Sequence, residues 1–155
     1  MAPITASIEI ARRPEDVFAY LDDLGSHSEW QEQLVSAEQQ GDGPTRVGTK
    51  STERRRMGKR EQTISYEVTE HDPPRAFAFR GIDGPVRAIG RATVEPLGDG
   101  SSSRLSLLLE FEGHGLGKLL FHGLGKLLLP LARSQSRKQV PKDQERLKER
   151  LESGA

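Results

Sequence analysis

The chain has 155 residues, which is enough for one domain with a buried core. Its 23 basic and 23 acidic residues balance, so no overall charge directs it to nucleic acid or to a membrane surface. It contains no cysteine, which excludes disulfides, thiol chemistry and cysteine-based zinc sites.

The sequence gives no sign of a targeting or membrane-spanning segment. The opening MAPITASIEI lacks a basic segment followed by an apolar one and does not match a signal peptide. No apolar run reaches the roughly 18 residues that a membrane-spanning helix needs. We therefore expect a soluble, cytoplasmic protein.

The first elements in chain order are a strand and two short helices. In residues 4–10, isoleucine and alanine alternate with polar residues, which predicts a half-buried strand. Pro14 suits the first turn of a helix, and an apolar stripe follows it through Leu24. The stretch SHSEW predicts a second short helical turn with Trp30 directed inward.

The middle of the chain predicts six consecutive strands joined by short turns. Turn residues occur at 41–44, 57–58, 73–75, 83–85 and 98–100. With the first strand, these strands predict a seven-stranded antiparallel sheet. Small residues line one face of the strand at 86–94, so another element must fill the space above them if that face points inward.

The element that fills this space is predicted to be a helix that begins with GLGKLLFHGLGKLLLPL, residues 115–131. Its leucines recur at helical spacing, with lysines and a histidine on the opposite face. A phosphate-binding loop is excluded because neither Gly-Lys pair has the required glycine spacing or a following serine or threonine. A membrane-surface helix is an alternative, but packing on the sheet is favoured. We predict a helix over about 115–152, kinked or broken at Pro130 and Pro141.

This order of elements is that of the helix-grip architecture, and three stretches also resemble a known family. The stretches SIEIARRPEDVFAYLDDLGSHSEW, YEVTEHDPPRAFAFR and KQVPKDQERLKERLE are similar to the polyketide cyclase/dehydrase and lipid-transport group of the START-like, or SRPBCC, superfamily. The resemblance covers nearly the whole chain. It implies a single START-like domain over 1–155 with an α+β fold, in which a curved sheet grips the last helix around a hydrophobic cavity.

Members of this group bind lipids, sterols, polyketides or plant hormones, and some cyclise polyketides. The group shares no catalytic motif that could be transferred to this chain. The resemblance therefore implies a fold and a class of ligand, but it does not assign a reaction.

The predicted cavity lining follows from strand alternation and from the inner face of the last helix. Tyr66 offers a hydroxyl that can orient a ligand, although a core tyrosine with its hydroxyl at the rim is the simpler interpretation. The only tryptophan lines the cavity mouth or anchors its helix. The full predicted lining is Trp30, Tyr66, Phe77, Phe79, Ala88, Gly90, Leu107, Leu109, Leu124, Leu127, Leu128 and Leu131. A one-residue error in a strand would invert that strand's set.

One strand end carries residues with metal-binding or acid–base potential. Glu110, Glu112 and His114 share one strand face. Their alternation is opposite to that of Leu107 and Leu109, so we expect them to face solvent. We predict no metal site and no cofactor.

The most basic stretch is ERRRMGKRE at a hairpin turn. Arg55 lies among the candidate anion-binding residues Arg54, Arg56, Lys59 and Arg60, and like charges are expected to lie opposite each other. An anionic headgroup, a phosphate or an acidic patch on a second subunit would relieve the repulsion. Arginines that spread into water are the simpler interpretation. Nucleic-acid binding is not expected, because no aromatic residues interleave with the charges.

These observations predict a carrier that buries a small hydrophobic ligand, lipid or polyketide-like, and orients it with one or two polar groups. The alternative is an aromatic polyketide cyclase or dehydratase, for which Arg80, Arg91, Glu67 or Tyr66 would have to face inward. A second alternative is a module that binds anionic surfaces or proteins through the basic hairpin at 54–60. We expect no stable membrane insertion, and a homodimer is left open.

Overall fold

The structure, a computed structural model, describes residues 2–84, 86–114 and 125–154. A 3₁₀ turn at Leu24–Ser26 connects the first two helices. The helices and strands are, in chain order, β1 (Ile4–Ile10), α1 (Pro14–Asp22), α2 (His27–Trp30), β2 (Leu34–Gln40), β3 (Lys50–Met57), β4 (Arg60–Asp72), β5 (Ala76–Gly81), β6 (Val86–Leu97), β7 (Ser102–Gly113) and α3 (Gly125–Glu152).

The strands form one curved antiparallel sheet in the order β1-β7-β6-β5-β4-β3-β2. Strands β2 to β7 are a continuous meander, and β1 closes the sheet by pairing with β7 so that Ile4 lies opposite Leu109. This seven-stranded sheet, with a long C-terminal helix, confirms the predicted helix-grip fold.

The C-terminal helix packs against β1. Leu147 and Leu151 are fully buried, and the Gln144 side-chain amide donates to the Ala6 carbonyl at 3.1 Å. The Lys148 ammonium donates to the Glu9 carbonyl at 2.6 Å. The apolar stripe predicted at the end of the chain therefore attaches α3 to the edge of the sheet.

The helix α3 continues from Gly125 to Glu152 through both Pro130 and Pro141. Of the two alternatives left open, a helix kinked at the prolines or one broken there, the break does not occur in this range, while the expected start near 115 lies outside the described residues. None of the helices in the described ranges is both long and apolar enough to cross a bilayer.

The concave face of the sheet is packed unevenly along its strands. Toward one end, which we call the core end, it carries buried residues that pack with α1 and α3, namely Val68, Phe77, Ala92, Val94 and Leu105. Toward the β3–β4 turn, which we call the hairpin end, the residues of the same face are half-buried, namely Ile64, Phe79, Ala88, Leu109 and Phe111. The hydrophobic core is thus concentrated at the core end.

Candidate functional site

Three neighbouring strands bring Tyr66, Phe79 and Gly90 together on the concave face. The rings of Tyr66 and Phe79 form an edge-to-face pair with centroids 5.1 Å apart. Phe79 lies opposite Gly90 in the β5–β6 register, and a Cβ atom on Gly90 would collide with the Phe79 ring. The sequence predicts that another element fills the space above the small face of β6. At Gly90 this was wrong, because Phe79 of the sheet itself occupies that space.

Tyr66 is a buried phenol that remains protonated at neutral pH. It is 7% exposed, and burial raises its pKa to about 12, although the charge of Arg55 opposes part of that rise. A neutral tyrosine hydroxyl can both donate and accept a hydrogen bond. Tyr66 therefore places a neutral polar group next to the aromatic ring of Phe79 on the concave face.

A charged pair lies beside Tyr66 on the same concave face. The Arg55 Nε donates to Glu53 Oε2 at 2.9 Å, and the two side chains are only 22% and 9% exposed. A second guanidinium nitrogen of Arg55 donates to the side-chain oxygen of Gln31, which follows α2. Burial tends to lower the pKa of Arg55, but the charge and hydrogen bond of Glu53 together with the charges of Tyr66 and Asp143 outweigh it, so the net pKa is raised and the guanidinium stays charged.

The helix α3 brings a carboxylate toward this pair. Asp143 Oδ1 accepts from the Glu32 backbone N–H at 3.2 Å and from Gln139 Nε2 at 2.9 Å. Burial raises the pKa of Asp143, while these hydrogen bonds and the charge of Arg55 act in the opposite direction. The site therefore contains an acid that is easier to protonate than an exposed aspartate.

The short helix α2 contributes two buried rings. His27 Nε2 donates to the Leu21 carbonyl at 2.7 Å, and burial lowers the pKa of His27, so the ring is neutral. Trp30 is 5% exposed and packs edge-on against His27 at 5.4 Å. Its indole N–H has no hydrogen-bond partner within the described ranges, which leaves one buried donor unsatisfied.

The other predicted lining residues fall into three groups. Phe77 is buried in the core and packs at the core end. Ala88, Leu107 and Leu109 are half-buried on the concave face, as alternation predicted. The side chains of the remaining predicted residues, Leu124, Leu127, Leu128 and Leu131, lie outside the described residues, and so does the part of the predicted cavity that they would line.

Sequence reasoning missed the Glu53–Arg55 pair and its partners Gln31 and Asp143. The stretch around Glu53 is polar on both faces, so alternation could not show which side points inward. The signal that could have found the pair is the turn. A two-residue loop sets Arg55 opposite Gln62 and thereby on the same face as Tyr66.

The acid–base candidates on β7 face away from this site. Glu110 is exposed, and His114 Nε2 and Glu112 Oε1 form a half-exposed pair at 2.7 Å. Within the described part of the chain, no three histidine or acidic residues are grouped as they would be around a metal ion. Of the other acid–base candidates, Arg80 and Arg91 are exposed.

The basic residues of the hairpin surround a two-residue turn at Gly58 and Lys59. We call residues 54–61 the basic arm. The expectation that like charges lie opposite each other was wrong, because the register sets Arg56 against Glu61 and Arg54 against Thr63. The required backbone is supplied by Gly58, whose φ is +66°.

An open cleft of about 380 Å³ lies on the outside of the domain beside α1. Its lining includes Asp22, Gly25, Pro44 and Thr45 and contains none of the predicted site residues. Asp22 also binds His71 at 2.8 Å and thereby ties α1 to the end of β4. We assign this cleft no part in the candidate site.

The sequence matches the profile of one protein family over nearly its whole length. Residues 1–152 match the family described as polyketide cyclase / dehydrase and lipid transport. No curated protein matches the chain.

Several solved structures share the fold. A Thermus thermophilus protein, TTHA0849, superposes with a TM-score of 0.78 at 21% identity over 99% of each chain. The Zhui aromatase/cyclase from a Streptomyces species gives a TM-score of 0.68 at 15% identity over 93% of this chain and 92% of its own. Norcoclaurine synthase from Thalictrum flavum, in complex with dopamine and hydroxybenzaldehyde, gives 0.68 at 15% identity over 99% of this chain and 87% of its own. At these identities the similarity shows a common fold.

Proposed function

Because the chain belongs to the polyketide cyclase / dehydrase and lipid transport family, we propose that it binds a small hydrophobic ligand between the concave face of its sheet and α3. The observation that carries the proposal is the mostly buried Glu53–Arg55 pair beside Tyr66, on the same concave face as the apolar residues of β5, β6 and β7. Small-molecule sites are mostly apolar, with a few polar groups that fix orientation, and the hairpin end has this composition.

The apolar part of the site supplies most of the binding free energy. Phe79, Ala88, Leu109 and Phe111 are half-buried at the hairpin end, in contrast to the closed packing at the core end. A ligand that covers these side chains gains about 25 cal/mol per Å² of apolar surface before the costs of association. The ligand class we propose is lipid or polyketide-like.

The polar part of the site selects a ligand that carries oxygen. Glu53 and Gln31 engage two of the five N–H donors of the Arg55 guanidinium, and they hold its position. The Tyr66 hydroxyl is a further buried group that can bond an oxygen atom. We therefore propose that the ligand presents a carbonyl or phenolic oxygen to Arg55 and Tyr66.

A second candidate is a cyclase or dehydratase, and Asp143 favours it. Ring closure and loss of water need a base and an acid near the reacting carbon atoms. Asp143 has a raised pKa and interacts with the charge of Arg55, and a neutral phenol lies beside that guanidinium. The shared fold with the Zhui aromatase/cyclase supports this candidate at the level of architecture.

Two measurements test the binding proposal. Native mass spectrometry of freshly purified protein is expected to show a retained small molecule. Titration of delipidated protein with anthracene and with a hydroxylated anthraquinone is expected to show tighter binding of the oxygen-bearing compound. Tyr66→Phe should weaken that preference by roughly fivefold, because it removes one hydrogen bond and little apolar area. Failure to bind either compound, together with a clean apo mass, would reject the proposal.

The enzyme candidate has a separate test. A linear poly-β-ketone thioester analogue is incubated with the protein, and chromatography follows the appearance of cyclised or dehydrated product. Asp143→Asn should abolish turnover and leave anthraquinone binding intact if Asp143 is the acid–base group. Binding without turnover would leave the carrier proposal and remove the enzyme.

A further inference from the structure

The tip of the basic arm, from residue 57 onward, extends beyond the body of the sheet. On the β5 side, β4 pairs only from Tyr66 onward, so its first residues, 60–64, are bonded to β3 but to no other strand in the described ranges. On the other side, the pairing of β2 with β3 ends at Arg55, and the Arg56 N–H still donates to the Gln33 carbonyl at 2.8 Å, so the hairpin projects past that side only from residue 57 onward. At about 3.3 Å per residue, the arm reaches roughly 17 Å past the β5–β6 connection. The turn at its tip is therefore one of the most prominent parts of this end of the domain.

The arm is cationic in a chain that is neutral as a whole. Its residues 54–61 contain five basic residues and one acidic residue, a net charge of +4. The Glu53–Arg55 pair is mostly buried, and Arg54 lies 3.7 Å from Glu61. The three other cations, Arg56, Lys59 and Arg60, are exposed and make no ion pair within the described part of the chain.

The direction of these charges indicates the shape of the partner. Arg54 and Arg56 lie on the outward face of β3, because Arg55 between them points inward. Arg60 belongs to the opposite face of the hairpin, and Lys59 lies in the turn itself. Cations that surround a tip suit a uniformly anionic layer into which the tip dips better than they suit one shaped patch on a protein.

We propose that the basic arm docks the protein on anionic lipid bilayers. Clusters of lysine and arginine bind the negative surface of such bilayers without inserting into the hydrocarbon. Docking would bring the hairpin end of the concave face, which includes the exposed Val86, close to the headgroups. The inference depends on the arm and not on the identity of any bound ligand, so it can fail or hold independently of the function proposed above.

Vesicle co-sedimentation tests this proposal. The protein is mixed with vesicles of phosphatidylcholine alone or with about one third phosphatidylserine. Binding is expected only with the anionic vesicles, and it should fall steeply as salt rises from about 50 mM to about 0.5 M. The triple variant Arg56→Gln/Lys59→Gln/Arg60→Gln should bind roughly a hundredfold more weakly, since each cation near such a surface contributes about a fivefold factor.

The matched control removes three exposed cations elsewhere, Arg137→Gln/Lys138→Gln/Lys142→Gln on α3. It should keep the affinity of the unmodified protein, and both variants should show unchanged thermal unfolding. Equal losses in the two variants, or no binding to anionic vesicles at low salt, would overturn the proposal. Full competition by inorganic phosphate, or equal binding of polyglutamate at the same ionic strength, would also overturn it in favour of a free anion or an acidic protein.

Discussion

The two ends of the concave face are built from the same strands but differ in how deeply their side chains are buried. On β7, Leu105 is 0% exposed and packs with the equally buried Leu147, whereas Leu109 and Phe111 farther along the same face are half-buried. The Glu53–Arg55 pair lies at the level of the hairpin end, because Glu53 pairs with Ile64 in the register. The core end therefore supplies stability, and the hairpin end carries the apolar and polar groups that we propose contact a ligand.

The largest expected difference in unfolding free energy is between alanine substitutions of two leucines on β7. Leu105→Ala should lower the free energy of unfolding by about 2–5 kcal/mol, because it leaves a cavity in the packed core. Leu109→Ala should cost only about 1 kcal/mol, because its side chain is half-buried. Urea unfolding of both variants measures the contrast. Equal costs would show that the hairpin end is packed like the core end.

The next largest loss of stability is expected when one partner of the buried Glu53–Arg55 ion pair is removed. Arg55→Leu should destabilise the fold by about 3 kcal/mol, because it leaves the Glu53 carboxylate buried without its partner. The double variant Glu53→Leu/Arg55→Leu should recover much of that loss, since neither charge then remains. Denaturant unfolding of the single and double variants tests this, and a harmless Arg55→Leu would contradict the buried pair.

The contact between Gly90 and Phe79 predicts a smaller cost. Gly90→Ala should destabilise by about 1–2 kcal/mol, because the added methyl group meets the Phe79 ring. The change should be less costly in a Phe79→Leu background, where the aromatic ring is absent. Thermal unfolding of this double-mutant cycle measures the coupling. Additive effects would mean that the two residues do not touch.

The smallest loss of unfolding free energy at neutral pH is expected for Tyr66→Phe, about 1 kcal/mol or less. At alkaline pH, ionisation of Tyr66 makes the stability of the unmodified protein depend on pH. The pKa of Tyr66 is raised by burial to about 12, so the folded state binds its proton more tightly than the unfolded state does. The stability from this group is complete below pH 10 and is lost as the pH rises toward 12.

Phenolate absorbance checks this directly, since the chain contains two tyrosines. Burial, with a hydrogen bond to Glu29, also raises the pKa of Tyr20, so both should ionise above pH 10 in the folded protein. In urea both should ionise near pH 10. A native titration in which both tyrosines ionise with a midpoint at pH 10 would contradict the burial of Tyr66.

The sequence predicted the parts of this fold that depend on contrast between apolar and polar residues. Alternation placed Leu105, Leu107 and Tyr66 on the concave face, and helical spacing placed Leu147 and Leu151 against the sheet. These patterns are local and recur in several elements, so the prediction of each strand or helix is consistent with the prediction of its neighbours.

The candidate site was harder to predict, because its polar residues show no such contrast. Glu53 and Arg55 are neighbours of other charged residues, and their inward direction follows from the turn at Gly58 rather than from periodicity. Alternation also gives the face of a residue but not its depth, so Gly90 was grouped with cavity residues although Phe79 covers it. Gln31 reaches Arg55 only through the tertiary fold.

The most direct test of a ligand at the hairpin end compares two tryptophan substitutions on β6. Ala88 is half-buried on the concave face, and Ile89 is half-buried on the opposite face. Binding of the neutral fluorophore N-phenyl-1-naphthylamine is measured for Ala88→Trp and Ile89→Trp, after thermal unfolding shows that both are folded. Our interpretation predicts that Ala88→Trp abolishes binding and Ile89→Trp preserves it. Equal binding by both variants would contradict a ligand site on the concave face.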